Sequence, residues 1–162
     1  MCKTNIVPNA LKTKEMHLTE VKKDGFKLKF VPNELKSKKM CLTAVQENGL
    51  ALQFVPNKLI DEKMCLIAIQ QDEWNLEFVP NNLKVKKICL VAVNKDGRVL
   101  DLVPEEWKTK EICCAAVERN GFALKFVPKE LKTIEICLAA VKNSKLALEF
   151  VPNALKSKVM FD

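Results

Sequence analysis

A valine-proline pair returns every 24 residues along this chain, at Val7-Pro8, Val31-Pro32, Val55-Pro56, Val79-Pro80, Val103-Pro104, Val127-Pro128 and Val151-Pro152, and these pairs use all seven prolines. A fixed period of this length points to one broad solution. Identical supersecondary units stack in tandem, each with an apolar face that only its neighbour can bury. Numbered from its valine, the unit reads V-P-N-x-L-K-x-x-x-[MI]-C-L-x-A-V-x-x-[DN]-G-x-x-L-x-F, without a slip between Val7 and Val151. The expected fold is all-α: an α-solenoid of six tandem 24-residue helical hairpins starting at residues 7, 31, 55, 79, 103 and 127, with an N-terminal extension 1–6 and a C-terminal half repeat 151–162, in a single domain 1–162.

Val31 to Phe54 fills nearly every consensus position. Val31 precedes a proline and is biased to extended backbone, and Pro32 suits a first helical position, so a short helical turn is predicted over 32–35. Ser37 is an N-cap candidate, matched by Thr13, Asp61, Thr109, Thr133 and Ser157 with Val85 the exception, and predicts a helix from Lys38 to about Glu47. Met40, Cys41, Leu42, Ala44 and Val45 form a wide apolar arc on that helix, which implies neighbours on two sides. Asn48-Gly49 is expected to end the helix through a left-handed glycine, with Leu50 packing back on the last turn. Glu73 and Lys145 replace that glycine and predict altered turns in repeats 3 and 6, while Leu52 and Phe54 fall in a second short helix. Repeat 1, with His17, Glu20 and Lys27 at otherwise apolar or small positions, reads as a polar N-terminal cap.

No apolar run reaches the ~18 residues a membrane span needs, and residues 1–5 lack a secretory h-region, so a cytoplasmic location is expected with no membrane partner. Five cysteines, Cys41, Cys65, Cys89, Cys113 and Cys137, share repeat position 11 and read as small buried hydrophobes. Equivalent helices stacked ~8–10 Å apart hold such cysteines beyond disulfide reach. The adjacent pair Cys113-Cys114 has no zinc-ligand spacing, so neither metal nor cofactor is expected. A lone histidine, His17, the absence of a glycine-rich phosphate loop and no H-E-x-x-H leave nothing from which to assemble a catalytic site, and an enzyme is not expected.

Two surfaces offer themselves for binding. Position 6 is lysine at Lys12, Lys36, Lys84, Lys108, Lys132 and Lys156, with Ile60 the single gap, in a chain of net charge +7. Such a stripe could follow a phosphate backbone, meet an acidic protein, or cover apolar surface with its stems. The acidic repeat 3, with Asp61, Glu62, Asp72, Glu73 and Glu77, interrupts a phosphate track, and the absence of tyrosine makes base-stacking platforms scarce. The second surface lies at position 13, which changes from Thr19 and Thr43 to Ile67, Val91, Ala115 and Ala139 and gives an apolar strip suited to a protein contact. Trp74, Arg98, Asp101 and Trp107 depart from the consensus, and tryptophan and arginine are enriched in binding hot spots. The candidate partner-binding residues are therefore Lys36, Lys84, Lys108, Lys132, Ile67, Val91, Trp74, Arg98 and Asp101. Val159, Met160 and Phe161 leave the C-terminal end apolar, and a symmetric homodimer is one way to cover it.

The run Val31 to Leu52, V-P-N-E-L-K-S-K-K-M-C-L-T-A-V-Q-E-N-G-L-A-L, resembles a bacterial family of short helical repeats catalogued as a domain of unknown function. That resemblance implies an interaction module and names no ligand. A small chain made wholly of such repeats is also similar to some phage-encoded inhibitors of type VI-A CRISPR effectors, the RNA-guided ribonucleases. The expectation is a non-catalytic protein-binding scaffold, in its sharpest form an anti-CRISPR inhibitor of such a ribonuclease; a nucleic-acid-binding solenoid is the alternative.

Overall fold

The computed structural model describes residues 13–160, so Lys12, the extension 1–6 and Phe161 lie outside the described residues. Among the described residues every element is helical. The α-helices are α1 (Lys14–Lys23), α2 (Lys38–Glu47), α3 (Glu62–Gln71), α4 (Lys86–Lys95), α5 (Lys110–Arg119), α6 (Ile134–Asn143) and α7 (Asn153–Met160). A six-residue 3-10 helix, such as Gly49–Phe54, follows each of α1 to α6, and a three-residue 3-10 turn, such as Asn33–Leu35, precedes each of α2 to α6. The fold is that of an all-α helical-repeat solenoid, with the second arm of each hairpin a 3-10 rather than an α-helix.

The α-helices start where their caps dictate. Thr13, Ser37, Asp61, Thr109 and Thr133 lie in extended backbone and accept the N–H three residues on, as Asp61 does from Met64 at 3.0 Å. Val85 has no side chain that can do this. Ser157 departs from expectation, because it lies inside α7 rather than capping a helix. In repeats 2, 4 and 6 the position-6 lysine bonds the carbonyl at position 24, which pins the link between turn and helix. Lys156 lies inside α7, where turn and helix run together. Pro32, expected as the first helical residue, instead caps its turn at φ −56° and ψ 141°, its carbonyl accepting the Leu35 N–H at 3.0 Å.

The helix end differs most from the sequence expectation. Asn48 is extended at φ −151° and ψ 113°; its N–H still bonds the Ala44 carbonyl at 2.9 Å while its Oδ1 accepts the Leu50 N–H at 3.0 Å. One residue thus closes the α-helix and opens the 3-10 helix, as Asp24, Asp72, Asp96 and Asn120 do in their own repeats. No described glycine has a positive φ, so the left-handed cap is absent. The glycine serves close approach instead: a Cβ at Gly97 would overlap the Ala116 carbonyl oxygen of α5, and one at Gly25 the Ala44 carbonyl oxygen of α2. Because the position-18 residue and the backbone make the turn, the repeats with Glu73 and Lys145 keep the same 3-10 helices, Glu73–Phe78 and Lys145–Phe150. The expected change is confined to repeat 6, where the helix keeps its bounds but Ser144 makes no side-chain bond to the position-20 N–H.

Backbone contacts divide the chain into two compact units, Met1–Phe78 and Val79–Asp162. In the first, α1 packs on α2 and α2 on α3; in the second, α4 packs on α5, α5 on α6 and α6 on α7. Both bury the same repeat positions: Met40, Cys41, Ala44, Val45 and Leu52 in one repeat answer to Ile112, Cys113, Ala116, Val117 and Leu124 in another, each at or near zero exposure. Each such leucine, isoleucine or methionine contributes roughly 2 kcal/mol of gross burial energy. Alanine at position 14 keeps the helix surface low where the preceding repeat's glycine arrives.

The third repeat of each unit adds an amide clamp. In the first unit the Gln71 Nε2 donates to the Val45 and Gln46 carbonyls at 2.9 and 3.0 Å, and its Oε1 accepts the Gly49 N–H at 2.6 Å. In the second, the Asn143 Nδ2 donates to the Glu118 carbonyl at 2.9 Å and its Oδ1 accepts the Gly121 N–H at 2.8 Å. An amide offers a donor and an acceptor on one planar group, so it can satisfy an orphan helix carbonyl and the neighbouring N–H at once. Exposed cross-repeat ion pairs, Lys38 with Asp61 at 2.7 Å, Lys86 with Glu111 at 2.6 Å and Lys110 with Glu135 at 2.6 Å, are screened by solvent and add little to the seams.

Candidate interaction surface

A 3-10 helix has three residues per turn, so residues three apart lie one above the other. In each repeat this turns position 22 inward and positions 20 and 23 outward, with position 19 also inward where it is glycine. In the first unit the outward pairs are Phe26 and Lys29, Leu50 and Gln53, Trp74 and Glu77; in the second they are Arg98 and Asp101, Phe122 and Lys125, Leu146 and Glu149. All twelve are exposed. In repeats 1 to 5 the position-18 side chain accepts the position-20 N–H and fixes the first turn beneath the exposed side chain, whereas Ser144 in repeat 6 makes no such bond. Exposure reaches 41% at both Leu50 and Trp74 and 68% at Leu146. The Phe26 ring stands edge-on to Phe54 at 4.9 Å between centroids, and Phe122 to Phe150 at 6.2 Å, so position 24 of the next repeat extends the apolar row.

The residues singled out by sequence divide among three places. Trp74, Arg98 and Asp101 lie on this 3-10 face within their own units. Arg98 is held by Asp96, its Nε 2.9 Å and its Nη2 2.6 Å from Oδ2. The hydrogen bond to Arg98 leads the causes that hold the Asp96 carboxyl below its usual range. Ile67 and Val91 are half-buried on the outer side of α3 and α4, beside the half-buried leucines Leu66 and Leu90, and Ala115 and Ala139 continue the position in the second unit. Thr19 and Thr43, by contrast, turn their hydroxyls back to the carbonyls four residues earlier, at 2.9 and 3.0 Å. Trp107 is half-buried in its 3-10 turn.

The position-6 lysines fold back on their own repeats. The Lys36 Nζ donates to the Phe54 carbonyl at 2.8 Å and the Lys132 Nζ to the Phe150 carbonyl at 3.2 Å, with Lys84 reaching Leu102 at 3.4 Å. Lys84 is only 9% exposed, and Lys108 is ion-paired to Glu105 with its side chain equally covered. Desolvation pushes the Lys36 and Lys132 ammonium groups below the ordinary lysine range. Their stems cover apolar surface while the charged heads close the carbonyl end of a 3-10 helix, a geometry that spends the ammonium inside the protein.

Cys41, Cys65, Cys89, Cys113 and Cys137 are fully buried free thiols. Burial pushes Cys65, Cys89 and Cys113 up to about 11, so they stay protonated and are poor nucleophiles at neutral pH. No group of three or more histidine, cysteine, aspartate or glutamate side chains converges on a metal-sized site among the described residues. His17 is buried in α1, with no partner for its Nε2. No helix among the described residues is long and apolar enough to cross a membrane.

The sequence reading missed the position-20 row and the two amide clamps. Leu50, expected to pack back on α2, instead faces water, because the 3-10 helix turns its neighbours Ala51 and Leu52 inward. The signal was available as a three-residue spacing inside positions 19 to 24, hidden by reading that stretch at the α-helical period. Gln71 and Asn143 share position 17 and coincide with the loss of glycine two residues later, a 72-residue echo inside the 24-residue repeat.

Capped ten-residue helices, glycine-to-carbonyl seams and outward-facing side chains at fixed repeat positions define a class, the all-α tandem-repeat proteins. Within it, the chain belongs to the family described as Domain of unknown function (DUF4116), whose model matches residues 13–60, 37–84, 61–108, 85–132 and 109–156. Each match spans two repeat lengths and steps forward by 24 residues. No curated protein and no solved structure gives a significant match to the chain.

Proposed function

We propose that this chain is a non-catalytic scaffold that binds a protein partner in the cytoplasm through the apolar residues its 3-10 helices present. The observation that carries this reading is the position-20 row: Phe26, Leu50 and Trp74 in one unit, and Phe122 and Leu146 in the other, are large apolar side chains held in water by a rigid backbone. Large exposed apolar side chains recurring in register mark an interaction surface rather than scattered surface hydrophobes. A preorganised surface loses little conformational freedom on binding. The inward-tied lysines weigh against a phosphate-tracking stripe, since Lys36, Lys84 and Lys132 would have to give up internal bonds to meet a nucleic acid. The narrower reading, an inhibitor occupying an RNA-guided type VI-A ribonuclease, rests on the resemblance alone.

Affinity capture tests both. Tagged chain is incubated with lysate containing candidate CRISPR effectors, with and without ribonuclease, and compared with the Leu50→Asp/Trp74→Asp double variant. Recovery of a protein that resists ribonuclease and is lost with the variant supports the scaffold reading; if that protein is the RNA-guided nuclease, a cleavage assay follows. Recovery of nucleic acid alone, released by moderate salt, sinks the reading and returns the lysines to the binding surface.

A further inference from the structure

Two requirements of the fold meet at one peptide bond. The seam between repeats demands glycine at position 19, since a Cβ at Gly49 would press on Asn75 and Ala68, and one at Gly121 on the Ala140 carbonyl. The junction with the 3-10 helix calls for asparagine or aspartate at position 18, and repeats 2 and 5 use asparagine. The result is Asn48-Gly49 and Asn120-Gly121. Asparagine before glycine is chemically labile, because no side chain shields the glycine nitrogen from the asparagine Cγ. As the N–Cγ bond forms, the Cγ–Nδ2 bond breaks and ammonia leaves carrying the glycine N–H proton. Water then opens the succinimide at either carbonyl, giving aspartate or isoaspartate.

In both repeats the attacking nitrogen is held by an amide clamp. The Gly49 N–H donates to the Gln71 Oε1 at 2.6 Å, and the Gly121 N–H to the Asn143 Oδ1 at 2.8 Å. The group under attack is held as well: the Asn48 Oδ1 accepts the Leu50 N–H at 3.0 Å and the Asn120 Oδ1 the Phe122 N–H at 3.1 Å. Ring closure needs the glycine peptide plane to turn and its nitrogen to lose a proton. A neutral amide oxygen is too weak a base to take that proton, so the clamp anchors the plane without activating the nitrogen. The clamps are placed where the lability is. Position 17 of the following repeat is an amide at each Asn-Gly, whereas at Asp24-Gly25 and Asp96-Gly97 it is Glu47 and Arg119. Neither of these bonds the glycine N–H among the described residues. Aspartate closes the same ring far more slowly, because a carboxylate is a poor electrophile, and those two bonds have less need of protection.

We propose that Asn48 and Asn120 are latent deamidation sites, and that Gln71 and Asn143 protect them by keeping the glycine nitrogens from closing the ring. Conversion to aspartate keeps the cap, as Asp24 and Asp96 show in their own repeats, and sets a new negative charge close to Leu50 or Phe122. Isoaspartate instead inserts a methylene into the main chain just before the 3-10 helix. The full-length parent, Gln71→Leu and Asn143→Leu chains are aged in mildly alkaline buffer, digested, and read by mass spectrometry for amide-to-acid conversion at each asparagine. Gln71→Leu is expected to speed conversion at Asn48 about tenfold and leave Asn120 at the parental rate, and Asn143→Leu to do the reverse. Lost stability alone also exposes such bonds. Asp61→Ala and Thr133→Ala, which remove the N-caps of the same two helices and keep the clamps, are therefore run beside them. Both should stay within about twofold of the parent rate. A cap variant that speeds its asparagine as much as the clamp variant does assigns the protection to the fold as a whole and overturns the proposal. Parental rates in both clamp variants, or acceleration at both asparagines in either one, overturn it equally.

Discussion

The units Met1–Phe78 and Val79–Asp162 follow one three-repeat plan inside and diverge outside. In both, the first repeat ends in Asp-Gly, the second in Asn-Gly, and the third carries an amide at position 17 and a charged residue in place of the glycine. The surfaces do not match. At position 20 the first unit shows Phe26, Leu50 and Trp74, and the second Arg98, Phe122 and Leu146; at position 13 the first shows Thr19, Thr43 and Ile67, and the second Val91, Ala115 and Ala139. Interior positions repeat because stacking leaves them little freedom: where a glycine faces a carbonyl, an alanine lets it approach, and only the third repeat of each unit departs from this. Outward positions are released from that constraint, so differences between the units report on what each surface meets.

The largest expected effect comes from breaking the shared interior. Gly97→Ala should lower stability by about 3 kcal/mol in urea denaturation, because its Cβ collides with backbone that cannot move away cheaply. Lys145→Ala, at the equivalent position of repeat 6, should change stability by less than about 0.5 kcal/mol. Lys84→Glu should cost about 2 to 3 kcal/mol, since it sets a carboxylate against the Leu102 carbonyl in a nearly buried place. A variant that stays stable would show the lysine to be a surface group after all.

Asn143→Leu should cost about 1 kcal/mol by removing the bonds to the Gly121 N–H and the Glu118 carbonyl, with Gln71→Leu its counterpart in the first unit. A cost at one site alone would end the parallel between the units. The smallest effect is electrostatic. The Lys38 hydrogen bond leads the causes that depress the Asp61 carboxyl, as the Arg98 bond does for Asp96. A depressed folded value means the contribution is present above the unfolded value, near pH 4, and is lost as the pH falls through the folded one. The Asp61→Asn/Asp96→Asn variant should therefore lose less stability between about pH 4 and pH 2 than the parent chain, a difference kept small by solvent screening.

The period, the N-caps at Ser37 and Asp61 and the bounds of α2 were legible because each rests on local chemistry within a few residues. Two things were not. Gly49 suggested a left-handed cap because that is a common use of glycine after a helix, whereas its close neighbour is Ala68 of the next repeat, 19 residues away in the chain. Lys36 suggested a stripe because its acceptor, the Phe54 carbonyl, carries no side-chain signature in the sequence. Of the candidate surface, Trp74, Arg98 and Asp101 were visible as departures from the consensus. Leu50 and Phe122 were hidden because an apolar residue is usual at their position.

Urea denaturation of Leu50→Ser, Leu146→Ser and Gly97→Ala, run side by side, tests most directly whether the position-20 rows stand apart from the fold. The two row variants are expected to stay within about 1 kcal/mol of the parent chain while the glycine variant loses roughly three times as much. Row variants that unfold as readily as Gly97→Ala would contradict this, placing Leu50 and Leu146 among the residues that hold the repeats together and leaving no surface set aside for a partner.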